Sequence, residues 1–231
     1  MRVAGTLTPV LFRVLEYTLA PALRQFYQPD VQGFDNVPRR GPLILAGNHI
    51  SFADEIFAPL SCRRQVFYFA KAEYFTSVGL RGRVTGAVFR GLGQLPVERD
   101  DPRAAAGTID TGVQLLREGR VLGIFPEGTR SPDGRLYKFR TGVARLALRS
   151  GVPVVPVGHV GTREVNPPGS NRWHKAPVAV RFGAPLVFDQ GPDAERSAKT
   201  LREITEQIRH CVQSLSGQEY VDSYARTGGP L

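Results

Sequence analysis

The chain has 231 residues, 42% of them hydrophobic and 22% charged. That suits one domain, or one domain with an appendage, and excludes a wholly disordered chain. Thirty basic against 21 acidic residues give a net charge of +9, which points to an anionic partner: nucleic acid, an acidic membrane surface or a phosphorylated substrate.

Thr8 to Tyr27 is the first predicted element, a basic amphipathic helix whose Leu, Val, Phe and Tyr residues recur at helical spacing. Pro21 inside it predicts a kink or two short helices. Such a helix either lies in a membrane interface or packs on its own domain. Residues 28–41 read as a turn-rich lead-in. The apolar run 42–47 reads as a strand that ends at Asn48-His49. A helix follows from Ser51, its N-cap, to Leu60, then a strand at 66–70 and a helical stretch at about 74–90. Gln94 to Val97 is a short strand. Asp101-Pro102 opens a helix that runs to Glu118 and stops at Gly119.

Residues 120–125 form a buried type of strand, followed by the loop Pro126-Glu127-Gly128-Thr129-Arg130-Ser131. A helix at 141–150 closes on Gly151. The strand at 153–160 carries Pro153 and Pro156, which predicts an edge position or an irregular end. After a Pro/Gly-rich loop at 165–176 come a strand at 178–182, a long helix at about 193–215 and a loose tail from Gly217. Strands alternating with helices predict an α/β fold, with a largely parallel central sheet flanked by helices and an N-terminal amphipathic helical segment.

Cys62 and Cys211 are far apart and argue against a disulfide framework or a structural zinc site. Neither a signal peptide nor an apolar run of ~18 residues is recognisable, so a spanning helix is not expected.

Chemistry-bearing residues collect at predicted strand ends, where open α/β sheets build their sites. His49 precedes Asp54 by five residues. A carboxylate on one ring nitrogen fixes the tautomer and frees the other nitrogen to take a proton. Ser51-x-x-Asp54 is equally a capping box. In the loop 125–131, glycine permits close backbone approach, and arginine and hydroxyls suit a phosphate; a plain polar turn has the same composition. Gln94 to Arg99 is a short strand delivering an arginine. His159 ends a strand and can approach the site; His174 and His210 read as surface residues, and Trp173 as a packing residue.

The blocks Asn48-His49-x-Ser51-x-x-Asp54, Gly93-x-x-Pro96-Val97-x-Arg99, Phe125-Pro126-Glu127-Gly128-Thr129-Arg130-Ser131 and Val152-Pro153-Val154-Val155-Pro156-Val157 occur in that order. In this order and spacing the chain resembles the glycerophospholipid acyltransferases of the lysophosphatidic acid acyltransferase type, over roughly residues 31–190. The resemblance implies transfer of an acyl group from acyl-CoA or acyl carrier protein to a lipid hydroxyl, with no metal, no cofactor and no acyl-enzyme. His49 would be the general base and Asp54 its orienting partner. Glu127, Gly128, Thr129 and Arg130 would bind the acceptor with Arg99, and Lys71 would stabilise the oxyanion. The simplest acceptor is 1-acyl-sn-glycerol-3-phosphate. Glycerol-3-phosphate, another lysolipid and a glycolipid are the alternatives, because Glu98 stands where an aspartate is frequent in the family.

The expected organisation is a membrane-docking segment at 1–27, an acyltransferase domain at 28–215 and the tail at 216–231. The enzyme is expected as a peripheral protein on an anionic membrane, at the cytoplasmic face of the cell membrane. A hydrolase would need the nucleophile elbow that is missing here. A nucleic-acid binder has only the +9 charge in its favour.

Overall fold

The computed structural model describes residues 8–71, 93–97 and 102–226. The helix expected at about 74–90 and Arg99 lie outside the described residues. So do the side chains of Lys71 and of residues 8–13.

Among the described residues the chain runs α1 (Thr8–Tyr27), β1 (Asp30–Gln32), β2 (Leu43–Gly47), α2 (Asp54–Cys62), β3 (Val66–Lys71), β4 (Gln94–Val97), α3 (Pro102–Arg117) and β5 (Val121–Ile124). It continues with β6 (Leu136–Tyr137), α4 (Gly142–Ser150), β7 (Val154–Val160), α5 (Thr162–Val165), β8 (Ala179–Phe182), α6 (Ala198–Ser216) and β9 (Tyr220–Val221). Seven strands form one sheet in the order β1-β8-β7-β2-β5-β3-β4, and every pairing is parallel except β7 with β8. The expected α/β architecture is present.

Strand β2 lies at the centre and is buried on both faces, so it reads as an unbroken apolar run. Its side chains alternate. Leu43 and Leu45 join the core shared with α2 and the end of α1, while Ile44 and Ala46 join the core under α3, α4 and α6. Each large aliphatic or aromatic side chain buried in these layers contributes about 1.5–3 kcal/mol. Helix α6 starts at Ser197, whose hydroxyl accepts the Thr200 N–H, and stops at Gly217.

Three features depart from the sequence reading. Helix α1 is one continuous element through Pro21. Its end is fastened by Arg24, whose guanidinium donates twice to the Leu60 carbonyl, and by Tyr27 set edge-on to Phe57 at 5.2 Å. Strand β7 is interior, between β8 and β2, where its prolines predicted an edge position or an irregular end; Pro153 falls just before the strand's first residue, Val154. Pro156 forfeits a single N–H, and its carbonyl still accepts from the Gly183 N–H at 2.8 Å. The tail expected to be loose is pinned as far as Ser223: β9 pairs with β6, Lys138 forms a 2.9 Å ion pair with Asp222, and the Lys138 N–H donates to the Ser223 carbonyl. Gln218 also donates to the Gly134 carbonyl.

Candidate active site

Strands β7, β2 and β5 are neighbours and mutually parallel, so their carboxyl ends bring three loops to one edge of the sheet. Those loops carry His49, the segment 125–131, and His159 to Thr162. His49 Nδ1 lies 3.0 Å from Asp54 Oδ2. The carboxylate accepts, so the proton sits on Nδ1 and the lone pair on Nε2. The same Oδ2 accepts the N–H groups of Ile50 at 2.8 Å and Ser51 at 2.9 Å. Asp54 therefore caps the turn and orients the imidazole at once; both sequence readings describe the same contact. The imidazole is 12% exposed and Asp54 is fully buried.

The histidine ring stacks on Phe125 at 3.9 Å, with planes 8° apart, and Phe125 stacks in turn on Tyr68 at 5.3 Å. Burial pushes the His49 pKa below its ordinary 6.5, against the hydrogen bond and charge of Asp54. The charges of Arg130 and His159 lower it further. Burial works to raise the Asp54 carboxyl, but His159, His49 and the Thr162 hydroxyl outweigh it and hold the group below 3.8. The pair is thus a neutral imidazole beside an ionised carboxylate, which is the resting state a general base requires.

The loop 125–131 is fastened to the histidine. Ser131 N–H donates to the His49 carbonyl at 2.7 Å, and Arg163 holds the carbonyls of Ser131 and Pro132. Gly128 sits at φ 79° with its surface open, a conformation that favours glycine. A Cβ there would lie 2.8 Å from Arg140 Nε. Arg130 is half-buried and has no hydrogen bond or ion pair with any described residue.

Glu127 differs from the expectation that it contacts the acceptor. It is fully buried. Its Oε1 accepts the His49 N–H at 2.9 Å and its Oε2 accepts the Tyr137 N–H at 3.0 Å. Both oxygens are committed to the backbone, so Glu127 clamps the turn that carries His49 onto the loop. Burial lifts its carboxyl to about 8, opposed by those two N–H groups. Glu127→Gln turns an amide NH2 toward one of the two backbone donors. We expect kcat to fall about tenfold to a hundredfold, with the acceptor KM nearly unchanged. Steady-state kinetics check this; a raised KM at constant kcat would return Glu127 to the acceptor.

Two residues outside the expected set complete the site. Asn48 clamps β7: its amide donates to the His159 carbonyl at 3.0 Å, and its Oδ1 accepts the His159 N–H at 2.7 Å. His159 is buried, with Nδ1 3.1 Å from the Asn48 carbonyl and no hydrogen-bond partner on Nε2 among the described residues. Thr162 opens α5 and donates to Asp54 Oδ1 at 2.5 Å. No motif marks this threonine, and only the fold brings it to the Asp54 carboxylate.

Comparison with known proteins bears on the fold and the family. The structure resembles the crystal structure of the 1-acyl-sn-glycerophosphate acyltransferase PlsC from Thermotoga maritima, with a TM-score of 0.65 and 26% identity, over 93% of this chain and 83% of that one. A profile of the family described as Acyltransferase matches residues 28–160. The chain belongs to the acyltransferase family. It is 36% identical over 146 residues to the chloroplastic 1-acyl-sn-glycerol-3-phosphate acyltransferase BAT2 of Brassica napus, covering 63% of this chain and 41% of that protein. It is 26% identical over 185 residues to the 1-acyl-sn-glycerol-3-phosphate acyltransferase of Bacillus subtilis, covering 78% of this chain and 86% of that one. The chain thus spans less than half of the Brassica relative's length.

Proposed function

We propose that the chain transfers a fatty acyl group from acyl-CoA or acyl carrier protein to the hydroxyl of a lysophospholipid, most simply 1-acyl-sn-glycerol-3-phosphate, giving phosphatidic acid. One observation carries the reading: an imidazole, oriented by a buried carboxylate, adjoins a glycine-arginine loop whose guanidinium has no partner among the described residues. His49 Nε2 takes the proton of the acceptor hydroxyl as its oxygen attacks the thioester carbonyl. The tetrahedral intermediate collapses, the C–S bond breaks, and His49 returns the proton to the departing sulfur. Asp54 stabilises the imidazolium formed between the two steps. Arg130 offers its fork to the acceptor phosphate, and Arg99 and Lys71 remain assigned to the acceptor and the oxyanion by family resemblance.

A groove between α1 and α2 has an apolar wall of Leu19, Leu23, Phe52, Ile56, Pro59 and Leu60, with Glu16, Arg24, Glu55 and Gln94 also on its lining. That apolar wall supports a lipid substrate. Val14, Tyr17, Leu19 and Phe26 of α1 and Trp173 expose large apolar surface. Lys175 lies over Phe26 at 5.2 Å. This mixture of aromatic and cationic groups supports peripheral docking on an anionic bilayer. Among the described residues no helix is long and apolar enough to cross a membrane. Replacing Tyr17 and Phe26 together by Glu is expected to weaken sedimentation with phosphatidylglycerol vesicles at least tenfold, since each aromatic contributes about 1.5–3 kcal/mol when buried. Unchanged partitioning would assign these side chains to another role.

The function is tested by crossing acyl-CoA and acyl carrier protein thioesters with 1-acylglycerol-3-phosphate, glycerol-3-phosphate and a lysoglycolipid. Phosphatidic acid formed fastest from 1-acylglycerol-3-phosphate is the expected result. Thiol release without an acceptor would make the protein a thioesterase instead.

A further inference from the structure

We propose that Thr162 is a positioning residue for the catalytic pair: its hydroxyl fixes the plane of the Asp54 carboxylate and through it the direction of the His49 ring. This inference rests on the assignment of His49 as the general base.

The four hydrogen bonds to Asp54 divide unevenly between its oxygens. Oδ2 accepts from Ile50 N–H, Ser51 N–H and His49 Nδ1–H. Among the described residues Oδ1 has one partner, the Thr162 hydroxyl, at 2.5 Å. Rotation about Cβ–Cγ moves both oxygens together, so the hydroxyl on Oδ1 opposes any swing that would carry Oδ2 off its three donors; without it that restraint and the donor to Oδ1 are lost. Asp54 and Thr162 are both fully buried, so bulk water does not take the place of the hydroxyl.

The threonine is itself held rigidly. It follows Gly161, which turns the chain from β7 into α5 at φ 77°; a Cβ at that glycine would fall 2.0 Å from the Pro177 carbonyl oxygen. The residue before the turn, Val160, ends a strand already clamped to Asn48 through His159. On the other side of Asp54, the Ser51 hydroxyl donates to the Asn166 carbonyl at 2.7 Å, just beyond α5. The loop after β7 therefore grips the catalytic turn at two points, and Thr162 is the one that touches the carboxylate.

The other ionisable groups around Asp54 are His49 from its own turn, His159 from β7, Glu127 from the loop after β5 and Tyr68 from β3. Arg130 adds its charge at His49. None of these donates to Oδ1. Removing the hydroxyl takes a positive dipole from the carboxylate, which makes Asp54 a stronger partner for the imidazolium. The His49 titration then moves to higher pH while the ring loses its fixed aim.

The test compares Thr162→Val, which keeps shape and removes the hydroxyl, with Thr162→Ser, which keeps the hydroxyl. Two readouts are taken: kcat, and the titration of His49 by NMR, assigned with a His49→Gln spectrum. We expect the Val variant to lose about tenfold to a hundredfold in kcat and to titrate at higher pH. The Ser variant should restore most of both. The proposal is overturned if Val matches the wild type in rate and titration, or if Ser loses as much as Val, which would mark packing alone. If the wild-type chain transfers no acyl group, the functional reading fails separately, and the His49 titration still decides whether Thr162 governs the pair.

Discussion

His49→Ala is expected to lose acyl transfer by at least the upper end of the ~10²–10⁴-fold that a positioned base contributes. The loss should appear in kcat with every thioester tested, because no other group within the turn takes the proton. Asp54 is ionised but buried and committed to four donors. His159 is buried against the Asn48 carbonyl. The variant keeps the backbone that orders the site, since Glu127 holds residue 49 through its N–H and Ser131 holds it through its carbonyl. What is lost is the stack on Phe125 and the Nδ1 hydrogen bond to Asp54, whose carboxylate keeps its other three donors. A stability cost of about 1 kcal/mol would shift Tm by about 2–4 °C. Melting curves and assays together check the prediction; full activity in the alanine variant would remove the residue from the mechanism.

The second large effect is at Asp54, and two substitutions should differ. In Asp54→Asn, the carbonyl oxygen takes the seat of Oδ2, because three donors converge there. The NH2 then meets the Thr162 hydroxyl, which turns to accept. Ring tautomer and turn both survive, and only the charge that stabilises the imidazolium is gone. A fall of about a hundredfold is expected, the worth of a hydrogen bond to a charged group. Asp54→Ala also strands the N–H groups of Ile50 and Ser51 inside the protein. It should lose about tenfold more and unfold at lower temperature, through an unsatisfied buried donor costing about 1–3 kcal/mol. An Asn variant as active as the wild type would mean that the carboxylate charge does nothing in the reaction.

The sequence makes legible what short-range chemistry dictates. The apolar run at 42–47 and the proline-opened helix at 102–117 each carry their own local signal, whereas the last helix, expected from about 193, begins only at Ala198. His49 and Asp54 lie within one turn, so their meeting needs no tertiary information. Glu127 shows where that reading ends. It stands in the loop that resembles an acceptor site, yet it is turned inward by two backbone N–H groups 78 and 10 residues away in sequence. Thr162 meets Asp54 across 108 residues, and Asn48 meets His159 across 111. Such contacts exist only because β7, β2 and β5 are neighbours. Strand β9 was illegible for a related reason: two residues carry no period, and its partner β6 is equally short.

The pH dependence of kcat/KM tests the central claim most directly. A neutral imidazole must accept the proton, and burial holds its pKa below 6.5. The account predicts constant activity through neutral pH and a one-proton loss as the pH falls through a value under 6.5. An acid limb centred above 6.5, or a profile with no limb in that region, would contradict a neutral His49 as the base.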